Sequence, residues 1–93
     1  MKYALIGCGR IATNHVKAVK LNNLEFVAAC DLELSNIQTL LEKHDMQNDP
    51  NIARYTDYKK MIHEHPEIQL VAIATSSGAH AEIALYCIEH GIN

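Results

Sequence analysis

Proline occurs twice and glycine four times in these 93 residues, a scarcity that excludes a fibrous repeat or a disordered low-complexity tail. Positive charge is also in short supply: eight lysines and arginines face eleven acidic residues, for a net charge of −3. Such a surface has no general attraction to nucleic acid or to an anionic membrane. Cysteine is thin as well. Cys8, Cys30 and Cys87 form an odd set of three without C-x-x-C spacing, and the first two lie in or beside apolar runs. That pattern suits reduced, buried thiols of a cytosolic protein, not a disulfide framework or a zinc site. No run approaches the roughly 18–20 apolar residues that span a bilayer. The stretch Met1–Ile6 is too short for a signal-peptide core. The expectation is a soluble, cytoplasmic protein with chain enough for one small domain and not two.

What is there is an alternation of short apolar runs and longer amphipathic ones. Tyr3–Ile6 is a continuous apolar stretch closed by Gly7, as in a strand buried on both faces. From Arg10 to Leu21, Ile11, His15, Ala18 and Val19 recur at helical spacing, and Asn22-Asn23 ends the helix. Leu24–Cys30 reads as a second strand closed by Asp31. A second helix from Glu33 to His44 carries Leu34, Ile37, Leu40 and Leu41, and the polar segment Asp45–Asn51 is a loop. Ile52–Tyr55 is a short third strand. Thr56 or Asp57 can cap a helix bearing Tyr58, Met61 and Ile62, which Pro66 terminates. Leu70–Ala74 is the clearest strand of all. Thr75-Ser76-Ser77-Gly78 then makes a turn into a helix with Ala79, Ile83, Tyr86, Cys87 and His90 on one side and Gly91 as its stop. The crossovers are long enough for parallel pairing. The fold predicted is a doubly wound parallel α/β sheet in the order 3-2-1-4 with helices on both faces.

Gly7-Cys8-Gly9-Arg10-Ile11-Ala12 is a G-x-G-x-x-A sequence that follows a strand, opens a helix and sits in a βαβ unit of roughly thirty residues, the context of a dinucleotide fingerprint. Gly7 permits the tight turn, Gly9 clears space for a pyrophosphate, and Ala12 lets helix and strand pack closely. Free N–H groups near Arg10 and Ile11, with the helix dipole, face the phosphates. Asp31 lies at the end of the second strand, about twenty residues on, where a carboxylate accepts from ribose hydroxyls. It repels a 2′-phosphate, and no Arg or Lys between Leu32 and Glu42 invites one, so NAD is favoured over NADP. Asp31 could instead cap the following helix. Thr75, Ser76, Ser77 and His80 are expected opposite Gly7–Ile11, across the crevice between the first and fourth strands; His80 could equally be a surface residue.

Other candidates carry less. His63-x-His65 is not a metal pair on this spacing, because residues two apart do not share a helix face. His15 reads as a packing residue and Lys59-Lys60 as a solvated face. Cys8 could be a reactive thiol at a helix start, although partial burial under a cofactor suits it better.

Ala4–Ala12 with His15, the run Val27-Ala28-Ala29-Cys30-Asp31, and Val71–Glu82 resemble the glucose–fructose oxidoreductase / inositol dehydrogenase family, and the likeness covers essentially the whole chain. Within it, the sequence is most similar to sugar-nucleotide members that oxidise UDP-N-acetyl-aminosugar uronates for lipopolysaccharide or capsule synthesis. The resemblance implies a Rossmann-type domain and NAD-linked hydride transfer at a secondary alcohol of a sugar, sugar nucleotide or cyclitol. Gly7, Gly9, Arg10 and Ile11 would hold the pyrophosphate and Asp31 the adenosine ribose, with Thr75, Ser77 and His80 by the nicotinamide half. The family commonly has Pro and Asn where this chain has Ser76 and Ser77. Its next strand ends in a Glu-Lys-Pro motif whose lysine works in catalysis, and a second domain grips the sugar. The chain stops at Gly91-Ile92-Asn93, so the expectation is a partial dinucleotide-binding domain without catalytic residues or substrate domain. Isolated, it should not turn over. The alternative is a stand-alone nucleotide-binding or sensing module. Strand 70–74, apolar and uncharged, is expected to be an open edge through which two copies could pair.

Overall fold

The computed structural model describes residues 1–9, 12–75 and 77–92. Along them run β1 (Lys2–Ile6), α1 (Ala12–Leu21), β2 (Glu25–Cys30), α2 (Leu34–Lys43), β3 (Ala53–Tyr55), α3 (Tyr58–Glu64), β4 (Leu70–Ile73) and α4 (Ser77–Glu89). The strands form one sheet in the order β3-β2-β1-β4, every pair parallel. This is the doubly wound arrangement expected from the apolar pattern. Several boundaries shift by a residue, β4 for instance ending at Ile73 rather than Ala74. One shifts by two: α4 begins at Ser77, so Ser77-Gly78 open the helix and only Thr75 of the expected turn precedes it among the described residues.

Strand alternation sorts the core into two layers. Tyr3 and Leu5 of β1 join Phe26 and Ala29 of β2 under Ala12, Val16 and Val19 of α1 and Ile37, Leu40 and Leu41 of α2. Ala4, Ile6, Ala28 and Cys30 face the other way, onto Met61 and Ile62 of α3 and Ile83 and Cys87 of α4. Tyr3 pairs with Phe26 but Ala4 with Ala28, so Val27 is an extra residue in β2. That bulge keeps both strands in phase with their layers beyond it. Leu5, Leu41 and Val16 are fully buried, positions where truncating a leucine to alanine costs about 2–5 kcal/mol.

On the sequence pattern His15 and Ala18 belong to the inward stripe of the first helix. In the structure Ala12, Val16 and Val19 turn inward, Ala18 is exposed and His15 half-buried, because 12, 16 and 19 follow the 3.6-residue period. Ile11 lies outside the described residues.

Three helices end alike. Asn23, Asp45 and Gly91 adopt positive φ of 53°, 58° and 73°. The N–H of the next residue then donates five residues back, from Leu24 to Val19 O, Met46 to Leu41 O and Ile92 to Cys87 O. Each satisfies carbonyls that a helix end leaves open. The polar Asn and Asp tolerate this backbone where other side chains resist it. At the front of α3 the choice between two caps resolves to Asp57, whose carboxylate accepts from Lys59 N–H at 3.0 Å.

Candidate functional site

The carboxyl ends of the strands are tied in one line. Asp31 N–H donates to Tyr55 O at 3.0 Å, Gly7 N–H to Cys30 O at 2.7 Å and Ala74 N–H to Ile6 O at 2.7 Å. Gly7 stands where β1 and β4 both end, with φ of 95°. A Cβ there would lie 2.6 Å from Ala74 C and 2.8 Å from Thr75 N. Glycine is therefore required twice, by the turn and by the approach of the β4 backbone. Gly9 differs: a Cβ built on it meets nothing within 4 Å. The space beside it is open, as a phosphate-cradling loop requires. Ala12 is wholly buried in the core under α1 and serves the site only by letting the helix approach the sheet.

Asp31 does two jobs. Its Oδ2 accepts from the Cys8 N–H of the glycine turn at 2.8 Å, and its Oδ1 accepts from Glu33 N–H at 2.8 Å and Asn36 Nδ2 at 3.1 Å. Asp31 is not itself the cap of α2, a position that Glu33 holds; its carboxylate instead clamps the turn after β1 to the entrance of that helix. An ionised carboxylate has about four acceptor positions; with three in use, the free one is on Oδ2. In this arrangement Asp31 has room for one further hydroxyl.

A cavity of about 380 Å³ opens over this end of the sheet, lined by Gly7, Gly9, Asp31 and Thr75 together with Leu32, Thr56, Tyr58, Ala79, Glu82 and Ile83. It thus brings together four of the residues expected at the site. His80 is exposed on α4 and is not among its lining residues. Arg10, Ile11 and Ser76 lie outside the described residues, and Ser77 is placed only as the first residue of α4. A larger hollow of about 850 Å³ sits at the opposite end, among Lys2, Lys20, Glu25, Asp49 and Glu67. Ligands of open parallel sheets bind outside the carboxyl ends of the strands, so the smaller cavity is the candidate.

Several wall residues escape sequence reasoning. Leu32 is 87% exposed beside Asp31, an apolar surface facing the cavity rather than the core. Its only signal was position, one residue beyond the acid. Tyr58 and Glu82 arrive from α3 and α4, which no local spacing brings together. Lys43, the residue after the cation-free stretch Leu32–Glu42, shares a smaller pocket with Gly9 and Asn36.

The remaining candidates settle into structure. Cys8 is buried by the protein itself and its Sγ donates to Cys30 O at 3.5 Å. Burial pushes the thiol up to about 12, with the Asp31 charge adding to it, so it is not a nucleophile near neutral pH. Cys30 is pushed up to about 12 by the same causes in the same order. His65 Nδ1 meets Glu67 Oε2 at 2.8 Å. Among the described residues no three His, Cys, Asp or Glu side chains gather as a metal site. Lys59 and Lys60 are exposed, and Lys59 Nζ stands 5.4 Å from the centre of the Tyr86 ring. No helix among the described residues is long and apolar enough to cross a membrane.

Known proteins share this fold. The family model described as "Oxidoreductase family, NAD-binding Rossmann fold" matches residues 1–93. Inositol 2-dehydrogenase of Salmonella typhimurium is 29% identical over 87 residues, 91% of this chain and 24% of that protein. An oxidoreductase from Agrobacterium radiobacter, solved with NAD+, L-tartaric acid and magnesium, superposes with a TM-score of 0.83 at 25% identity, over 99% of this chain and 25% of its own. The WlbA dehydrogenase from Chromobacterium violaceum, solved with NADH and UDP-GlcNAcA, gives 0.77 at 26% identity over the same shares. The chain spans about a quarter of the length of the curated dehydrogenase it matches.

Proposed function

The chain belongs to the Gfo/Idh/MocA oxidoreductases, the family with an NAD-binding Rossmann fold whose model spans it, and from that premise we propose that the Gly7–Asp31 cavity holds NAD. The observation that carries the reading is the clamp of Asp31 on the turn beside an open Gly9. Gly7 and Gly9 present backbone to the pyrophosphate, with Arg10 and Ile11 at the helix start. The free acceptor position on Asp31 Oδ2 takes a ribose hydroxyl, and the adenine end lies along Leu32 and Thr56. Thr75, Ser76, Ser77 and His80 border the nicotinamide half. When bound, NAD supplies the hydride acceptor; the residues here bind and orient it and shield it from water.

For the protein in which this domain works, we propose hydride transfer between NAD and a secondary alcohol of a sugar, sugar nucleotide or cyclitol. Its support is the company the fold keeps, with relatives named for inositol and solved with UDP-GlcNAcA.

Calorimetric titration of the 93-residue chain with NAD+ and NADP+ tests the cofactor. The Asp31 carboxylate should cost the 2′-phosphate form at least about tenfold in affinity, roughly 1.4 kcal/mol. Equal affinity for both would remove Asp31 from the ribose, and no heat with either would end the reading.

A further inference from the structure

Tyr58 of α3 lines the wall of the cavity, yet its hydroxyl is out of solvent and has no hydrogen-bond partner among the described residues. A buried hydroxyl without a partner costs free energy, so its position calls for an acceptor that the ligand-free arrangement does not engage. The ring is held from the other side by Tyr86 of α4, edge to face with centres 5.4 Å apart, so the hydroxyl cannot swing freely to water. Glu82, one turn before Tyr86 on α4, lines the same cavity and is itself exposed. Its charge reaches Tyr58: the phenol is raised from its ordinary 10.0 first by burial and next by Glu82. An exposed glutamate that shares a cavity wall with a waiting donor is free to change rotamer, a small cost on a surface helix.

We propose that Glu82, oriented by the Tyr58 hydroxyl, reads the base of the bound dinucleotide, accepting from the exocyclic amino group of adenine and rejecting a purine that carries a carbonyl oxygen there. This rests on the dinucleotide reading above and extends it to a base-specificity determinant. The carboxylate is an acceptor only; opposite an amino group it gains a charge-assisted hydrogen bond, opposite a carbonyl it meets a second acceptor. Tyr58 is the positioning residue: its donated proton fixes one carboxylate oxygen and leaves the other for the base. Thr56 and Leu32 supply the neutral remainder of the wall.

The probes are NAD+ and nicotinamide hypoxanthine dinucleotide, titrated into the 93-residue chain. They differ only along the C6–N1 edge of the purine, where the amino group and bare N1 of adenine become a carbonyl and an N1–H. NAD+ should bind about tenfold more tightly, a difference of about 1.4 kcal/mol. Glu82→Gln keeps an acceptor for Tyr58 and can turn an amide N–H to the carbonyl, so it should erase or invert the preference. Tyr58→Phe should shrink the preference while leaving hypoxanthine binding in place, an outcome that a merely structural role, weakening both ligands alike, would not give. Equal binding of the two dinucleotides by the unaltered chain, or an unchanged ratio in Glu82→Gln, overturns the base-reading role and leaves the NAD reading standing. Binding of neither dinucleotide overturns both.

Discussion

β2 and β4 run parallel on either side of β1, yet the two flanks are finished differently. Phe26 to Cys30 of β2 are all buried, between α1 and α2 on one face and α3 on the other. All four residues of β4 are half-buried. α4 covers the face of Val71 and Ile73, while Leu70 and Ala72 line an open groove of about 460 Å³ with His15 and Ala18 of α1 and Asn22 just beyond it. No strand lies beyond β4 among the described residues. α4 also turns Leu85 and Ile88 outward, 58% and 69% exposed. The lesson concerns where precision comes from. The acid end of the site, Asp31 and the glycine turn, stands on the closed flank, where two packed layers hold the backbone. Thr75 stands on the flank with fewer neighbours. Gly7 is where the two meet.

Breaking that junction should have the largest effect. In Gly7→Ala the new methyl group must share space with the Ala74 and Thr75 backbone while the residue keeps a positive φ. Strain and overlap together should cost about 3 kcal/mol or more, read as a fall in the denaturant midpoint. Gly9→Ala is its control: with open space around the Cβ, stability should stay within about 0.5 kcal/mol, while NAD affinity should drop if, as proposed, that space takes the pyrophosphate. Similar midpoints for the two variants would mean that β1 and β4 are not locked at Gly7.

Within the closed flank, Asp31→Ala removes an acceptor from two backbone N–H groups and from Asn36. One contact is part-buried and the others are exposed, so the loss should be about 1–2 kcal/mol. Asp31→Asn tests the clamp separately. Its oxygen can serve Glu33 or Cys8 but not both, so it should lose close to half as much and still bind NAD more weakly. If alanine costs nothing, the turn is held by its own backbone and the clamp is incidental.

Hydrogen exchange compares the flanks directly. Amides of β1 and β2, hydrogen-bonded between buried layers, should be the slowest in the molecule. Those of β4 whose N–H groups do not face β1 should exchange orders of magnitude sooner, through water at the open edge. Comparable protection across Leu70–Ile73 in a monomer would contradict an open edge, and protection that rises with protein concentration would show two copies pairing there.

What could be read from the residues alone divides along physical lines. Gly7, Gly9 and Asp31 were legible because a strand, a tight turn and a helix in immediate succession constrain one another locally. The order of the strands was legible because parallel crossovers leave few alternatives. The bulge at Val27 was not, since it depends on how β1 and β2 come into register rather than on either strand. Asn23 reads as part of a helix stop and Asp45 only as loop, and neither segment announces the left-handed backbone that closes its helix. Tyr58 and Glu82 lie 24 positions apart in sequence on different helices, and nothing short of the folded sheet brings them to one wall. Cys8 misleads in the opposite direction: its place at a helix start suggests a low thiol pKa, but burial and the Asp31 charge outweigh that position.

The smallest expected effect sharpens the contrast at its outer limit. Ile88 and Ile83 are isoleucines of the same helix, one 69% exposed and the other 5%. An isoleucine that keeps most of its surface in water gains little by folding, so Ile88→Lys should change monomer stability by less than about 0.5 kcal/mol. Ile83 packs with Ile6, Met61 and Cys87 in the layer under α4, and cutting it to alanine should cost several times more. A loss above about 1 kcal/mol in Ile88→Lys is more than an isoleucine 69% exposed within one chain can supply. If that loss grows with protein concentration, a second copy already covers the outward face of α4 in solution, and the open flank is an interface rather than a free margin. If the loss is independent of concentration, α4 sits deeper against β4 than its 69% exposure at Ile88 allows, and the contrast between the flanks fails at this helix.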